Sequence, residues 1–180
     1  MDIVLDAGGK SKHAAPSVLA VVRGRLDELT RLLDADRTLI SQKFAGLDFG
    51  TTAARMLTLR GTTLLHVAAE FQNLEAATLL LDRGADVDAP AELHGEGVGG
   101  QTPIFHAATQ REDAGLPIVH LLVDRGADLS VRAKLPGHYE RPGEIVECTP
   151  LEYALLFPGD QGPTSAFLRG VNGTMVKRKK

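Results

Sequence analysis

Two eight-residue segments set 42 positions apart differ at one residue: 79–86 reads LLLDRGAD and 121–128 reads LLVDRGAD. Upstream of each stands a second shared block, GTTLLHVAA at 61–69 and GQTPIFHAA at 100–108, with a shorter form, ECTPLEYAL, at 147–155. Ordered blocks that recur together mark a repeat architecture, in which each unit hides its apolar face only by stacking on its neighbours.

Each block has a mechanical meaning. In Thr102-Pro103 and Thr149-Pro150 the threonine can cap a helix with its hydroxyl, and proline then fills the first helical position, where no amide donor is needed. The alanine pairs Ala68-Ala69 and Ala107-Ala108 let neighbouring helices approach closely. The leucine runs at 79–81 and 121–123 form the apolar face of a second helix. Gly84 and Gly126 suit the left-handed position that ends it. Asp86 and Asp128 open the turn that leads away. The unit is therefore helix, turn, helix, stop and extended turn.

This pattern resembles the ankyrin repeat, with its G-x-T-P-L-H-x-A-A block, a Leu-Leu second helix and a G-A-D ending. Residues 61–88 follow it with Leu64 in place of the usual proline and Gln72 in place of the inter-helix glycine. Residues 100–129 follow it with Phe105 at the histidine position and about three extra residues near Arg111 to Asp113. A degenerate unit spans 16–40, and a last unit, 147–170, loses the G-A-D ending, its second helix expected near Pro163 to Leu168. The resemblance implies an all-α ankyrin solenoid of about four helix-turn-helix units with extended β-hairpin or loop fingers, over residues 16–170. Residues 1–15 are expected to form a partly disordered segment, and 171–180 a basic tail. Atypical terminal units are expected, because the ends of a stack must face water.

The departures from a 33-residue period carry information. Thr63 to Thr102 is 39 residues and Thr102 to Thr149 is 47. The excess falls into inserts at 41–60, 89–99 and 130–146, where ankyrin proteins carry their fingers. The first interleaves Lys43, Arg55 and Arg60 with Phe44, Phe49, Met56 and Leu57. Around the second lie Asp88, Glu92 and Glu96, with the glycine-rich GEGVGG at 95–100 expected to loosen the tip. The third balances Arg132, Lys134 and Arg141 against Glu140, Glu144 and Glu147 around Pro136-Gly137-His138-Tyr139. Such a gradient of charge would orient a partner. The apolar residues of the first insert can equally cap neighbouring helices.

Composition narrows the function classes. Six Phe, two Tyr and no Trp in 180 residues argue against a β-sandwich or barrel and offer few platforms for stacking bases. The formal charge of −3 includes the run Lys177 to Lys180; residues 1–176 carry 16 basic against 23 acidic residues, a net −7. An acidic body repels phosphate backbones, so nucleic acid is not expected as a partner. The terminal basic run reads as a frayed solubilising tail, or else a localisation signal or anionic-surface contact. No apolar stretch reaches the length of a membrane span and no signal peptide is evident, which makes the cytoplasm the expected location. A single cysteine, Cys148, excludes an internal disulfide and a cysteine-based zinc cluster.

His94 with Glu96 and His138 with Glu140 form two H-x-E pairs on adjacent fingers, with His106 near the base of one. Together these residues are the basis of a rival reading, a metal-binding module or metal-dependent hydrolase. Against it, the spacing matches no rigid ligand template. Cys148 precedes a helix start whose dipole could lower its pKa. GEGVGG lacks the Gly-Lys-Ser/Thr ending of a phosphate loop. His66 falls at the motif position whose implied role is structural hydrogen bonding. The leading reading is a non-enzymatic, monomeric, cofactor-free protein-interaction module. The resemblance implies binding through the fingers and the first-helix face, with Glu70, Phe71, Thr109 and Gln110 as exposed first-helix residues. The finger candidates are Phe44, Phe49, Arg55, Glu96, His138, Tyr139 and Arg141.

Overall fold

A computed structural model describes residues 15–45, 57–95, 97–138, 140–157 and 162–178, with side chains to residue 171. Four helix pairs follow one another along the chain. They are α1 (Pro16–Val22) and α2 (Leu26–Ala35), then α3 (Leu64–Glu70) and α4 (Leu74–Asp82), then α5 (Pro103–Ala108) and α6 (Leu116–Asp124), and finally α7 (Pro150–Ala154) and α8 (Pro163–Arg178). The first helices stack in series, α1 on α3, α3 on α5 and α5 on α7; the second helices form the parallel series α2, α4, α6 and α8. A contiguous core runs through the stack, with Leu29, Leu64, Leu80, Phe105, Leu122, Tyr153 and Leu168 fully enclosed.

The residue three places after each capping threonine decides how the helix begins. Thr63 meets His66, whose Nδ1 lies 2.9 Å from the threonine hydroxyl and 3.2 Å from its amide. Thr149 meets Glu152 in a reciprocal capping box. Thr102 meets Phe105, whose side chain has no polar atom to offer and whose amide donates to the Thr102 carbonyl at 3.1 Å. The buried Thr102 hydroxyl therefore has no partner, and the expected side-chain cap does not form. At the other ends, Gly84 and Gly126 take φ +90, and the next amide returns to the carbonyl of Leu80 or Leu122 at 2.9 Å. Gln72, at the inter-helix glycine position, is forced to φ 57.

The repeated D-R pair ties the second helices together. Arg83 pairs with Asp34 at 2.5 Å and Arg125 with Asp82 at 2.7 Å. These contacts are exposed and fix register more than they add stability. Ala35 stands where the first unit would need an arginine.

The fingers are zipped to one another by main-chain bonds. Phe44 bridges to Thr62, the Glu92 amide donates to the Gly61 carbonyl at 2.9 Å, and the Ala91 amide to Gln101 at 2.8 Å. The Gly99 amide then donates to Lys134 at 2.7 Å. Lys134 belongs to β1 (Ala133–Pro136), which pairs antiparallel with β2 (Ile145–Cys148), Lys134 opposite Glu147. The expectation of a loose glycine-rich tip is therefore corrected at its base: Gly99 is buried and bridged, and a side chain there would strike the Glu92 carbonyl. The last helix, α8, begins at Pro163 as anticipated and runs on to Arg178.

Candidate functional site

The side chains singled out in the sequence divide sharply by what they touch. Phe44 is buried and belongs to the core, together with Leu57 and Leu59, so these three residues of the first insert pack inward instead of facing outward. Thr109 is buried as well, its hydroxyl donating to the Phe105 carbonyl at 3.0 Å. A threonine that ends a short helix can return its hydroxyl to the carbonyl four residues back, which draws it inward. His138 is buried against Phe157, ring centroids 5.7 Å apart. Phe71 is half-buried against the core.

Glu70 and Gln110 are half-buried and joined in one network. The Glu70 carboxylate accepts from His106 Nδ1 at 2.9 Å, while the Gln110 amide donates to the carbonyls of both Glu70 and His106 at 3.0 and 2.9 Å. Gln72 donates to the Gln110 side-chain oxygen at 2.8 Å. These groups join the second unit to the third across the ends of α3 and α5. Arg141 is exposed and paired with Glu144 at 2.9 Å. Phe49, Arg55, Glu96 and Tyr139 lie outside the described residues.

The histidines of the rival metal reading go to separate partners. His94 Nε2 lies 3.4 Å from the Arg60 carbonyl, His106 is engaged by Glu70, and His138 Nδ1 lies 3.7 Å from Glu140. Among the described residues no group of three or more His, Cys, Asp or Glu is placed to hold a metal ion. Burial pushes the Cys148 thiol up to about 11, with Glu152 and Glu147 adding to the shift against Arg132. A lowered thiol at the helix start is thus corrected: enclosure outweighs the dipole of a five-residue helix.

Two residues that sequence reasoning passed over stand out instead. Large exposed hydrophobics among the described residues are Leu74, Leu93 and Ile145. Leu93 is 66% exposed on the second finger, and Ile145 is 48% exposed on β2 of the third. The Gly99–Lys134 bridge joins those fingers directly. A signal was available for Ile145, since the run Ile145-Val146-Glu147-Cys148 buries only its last residue fully and alternates in exposure. Leu93 carries none, being a single leucine between Glu92 and His94.

Comparison with known proteins agrees with this geometry. The family described as "Ankyrin repeats (3 copies)" matches residues 17–133. The crystal structure of the human ASB11 ankyrin repeat domain is similar at a TM-score of 0.55 and 26% identity, over 87% of this chain. The chain spans about half, 52%, of that one. No curated protein sequence matches. Among the described residues no helix is long and apolar enough to cross a membrane. Ankyrin repeats are generally protein–protein interaction modules. With its paired helices, glycine stops, zipped fingers and a family match over most of its length, the chain belongs to the ankyrin repeat family.

Proposed function

We propose that this chain is a non-enzymatic binding module that takes a protein partner on the second and third fingers. The observation that supports it most is the pairing of Leu93 and Ile145, large exposed apolar side chains on consecutive fingers held in fixed relation by the Gly99–Lys134 bridge. Isolated exposed leucines are ordinary, but two on adjoining rigid elements can act together. Arg141, on the third finger and paired with Glu144, supplies the type of residue that carries interface energy. Glu96 and Tyr139, neighbours of these tips in sequence, belong to the same proposal. Glu70 and Gln110, tied together across the ends of α3 and α5, and the half-buried Phe71 belong to the same proposal on the first-helix side. Action in the cytoplasm as a monomer is part of the same reading.

The test is a photo-crosslinking amino acid placed singly at Leu93, Ile145 and, as a control, the exposed Glu75 of α4. Expected is a discrete protein adduct from Leu93 and Ile145 and not from Glu75, abolished by Leu93→Glu where the probe is at 145. Adducts independent of probe position, or untouched by Leu93→Glu, would remove the fingers as the binding surface.

A further inference from the structure

The three extra residues of the third unit, Arg111–Asp113, form a single 3-10 turn with an unusual backbone: Glu112 lies at φ 53 and Asp113 at φ 56. Two successive non-glycine residues in the left-handed region are strained, and such strain persists only where the surroundings hold it. Besides its own Ala114–Arg111 main-chain bond, the turn is met by a contact 51 residues away. The Asp113 carboxylate accepts the Thr164 amide at 2.8 Å, in the first turn of α8. Gly162, just before that helix, lies so close that any side chain there would run into the Asp113 carboxylate. The third unit therefore supplies the N-cap for the second helix of the fourth.

Among the described side chains, α8 otherwise has few fully buried apolar groups. Leu168 is its one fully buried apolar side chain among those described, beside Thr164 and Ser165. By contrast α4 buries Ala76, Ala77 and Leu80, and α6 buries Ile118, Val119 and Leu122. Phe167 and Val171 are partly buried against the core, and Phe167 stacks on His120 of α6, centroids 4.1 Å apart and rings within 13° of parallel. Among the described residues the D-R pairing that links α2 to α4 and α4 to α6 has no counterpart at α8, and the fourth unit lacks the DRGAD block.

We infer that the Arg111–Asp113 turn is a strained latch that holds α8 on the end of the stack, so that α8 opens and closes as a unit while the second and third repeats stay folded. Among the described side chains, the closed state gains a carboxylate cap, a ring stack, one buried leucine and the partial burial of Phe167 and Val171. Opening gives back the strain of two left-handed residues. Opposing contributions of similar size make a balanced element, and the low-stability end of a fold is where moving elements come from. Opening would uncover the faces of α6 and α7 that α8 now covers.

Two substitutions should act with opposite sign. Asp113→Ala removes the cap and leaves the strain, while Glu112→Gly removes strain and leaves the cap. Hydrogen exchange of the full chain is expected to show α8 exchanging at least tenfold faster than α4 and α6. Asp113→Ala should speed α8 by a further tenfold or so and leave α4 and α6 unchanged. Asp113→Asn, which keeps an acceptor and tolerates the left-handed backbone, should restore α8 to within a few-fold of the parent. Glu112→Gly should slow it by a few-fold. Exchange of α8 in step with α4 and α6, or the same direction of change in Asp113→Ala and Glu112→Gly, would overturn the latch. If Asp113→Ala does not fold, the Asn and Gly variants still decide by their order.

Discussion

His66 joins two repeats through both of its ring nitrogens. Its Nε2 lies 3.0 Å from the Gln101 carbonyl of the next unit, which can only accept, so Nε2 carries the proton. The Nδ1 atom is then an acceptor, facing the amide and hydroxyl of Thr63. A second proton would destroy the Thr63 contacts inside a fully enclosed site. Burial, reinforced by His106 with its ring centroid 5.6 Å away, lowers the His66 pKa to about 3.

That depression has a definite sign in stability. The unfolded chain takes a proton on His66 near its ordinary value of 6.5, while the folded chain stays neutral down to about 3. Unfolding therefore binds a proton between those limits, and stability falls as pH falls through them. From pH 6.5 to 5 the loss due to this residue is about 2 kcal/mol. Denaturant titrations at several pH values should show it, with His66→Asn less stable at pH 7 but flatter by about one proton across the window. An unchanged slope in the variant would mean that His66 is not the group responsible.

A contrast between two threonines gives a second expectation. Thr63 and Thr102 occupy the same motif position, but only Thr63 has a histidine three residues on. The Thr102 hydroxyl is buried without a hydrogen-bond partner, and such a group costs about 1–3 kcal/mol relative to an apolar one of equal shape. Valine has that shape. Thr102→Val should therefore raise the unfolding free energy by about 1 kcal/mol, whereas Thr63→Val should lower it by a similar amount or more. Parallel effects of the two substitutions would show that Phe105 is not what separates the sites.

The same pair shows what a sequence can and cannot disclose. Helix starts and stops were legible because Thr, Pro and Gly act on their own backbone within four residues. Thr149 with Glu152, and Gly84 at φ +90, are local facts written locally. The sequence also located the third finger, where β1 and β2 form. Contacts between units were not legible. Nothing near Asp113 in the chain indicates that it caps a helix beginning at Pro163, or that Phe44 turns inward beneath Thr62. Aromatic residues in an insert read alike whether they meet a partner or their own core, and only three-dimensional burial separates Phe44 from Leu93. Thr109 and His138 were misread as surface for the same reason: an insert or a helix end has no periodicity from which to infer its inner side.

Gln72 and Gln110 provide a last test, in which two opposed effects can be separated. Gln72 holds φ 57, a conformation that costs a non-glycine residue about 1–2 kcal/mol, and from it donates to Gln110 across the repeat boundary. Gln72→Gly relieves the strain, but it loses an exposed hydrogen bond worth about 0.5 kcal/mol and adds about 0.5–1 kcal/mol of unfolded-chain entropy. The net change alone should be close to zero. With Gln110→Ala already in place the hydrogen bond is gone from the start, so Gln72→Gly should then stabilise by about 0.5 kcal/mol more than it does in the parent. A double-mutant cycle by chemical denaturation measures that difference directly. Equal effects in the two backgrounds would leave Gln72 with its strain and no compensating bond to Gln110.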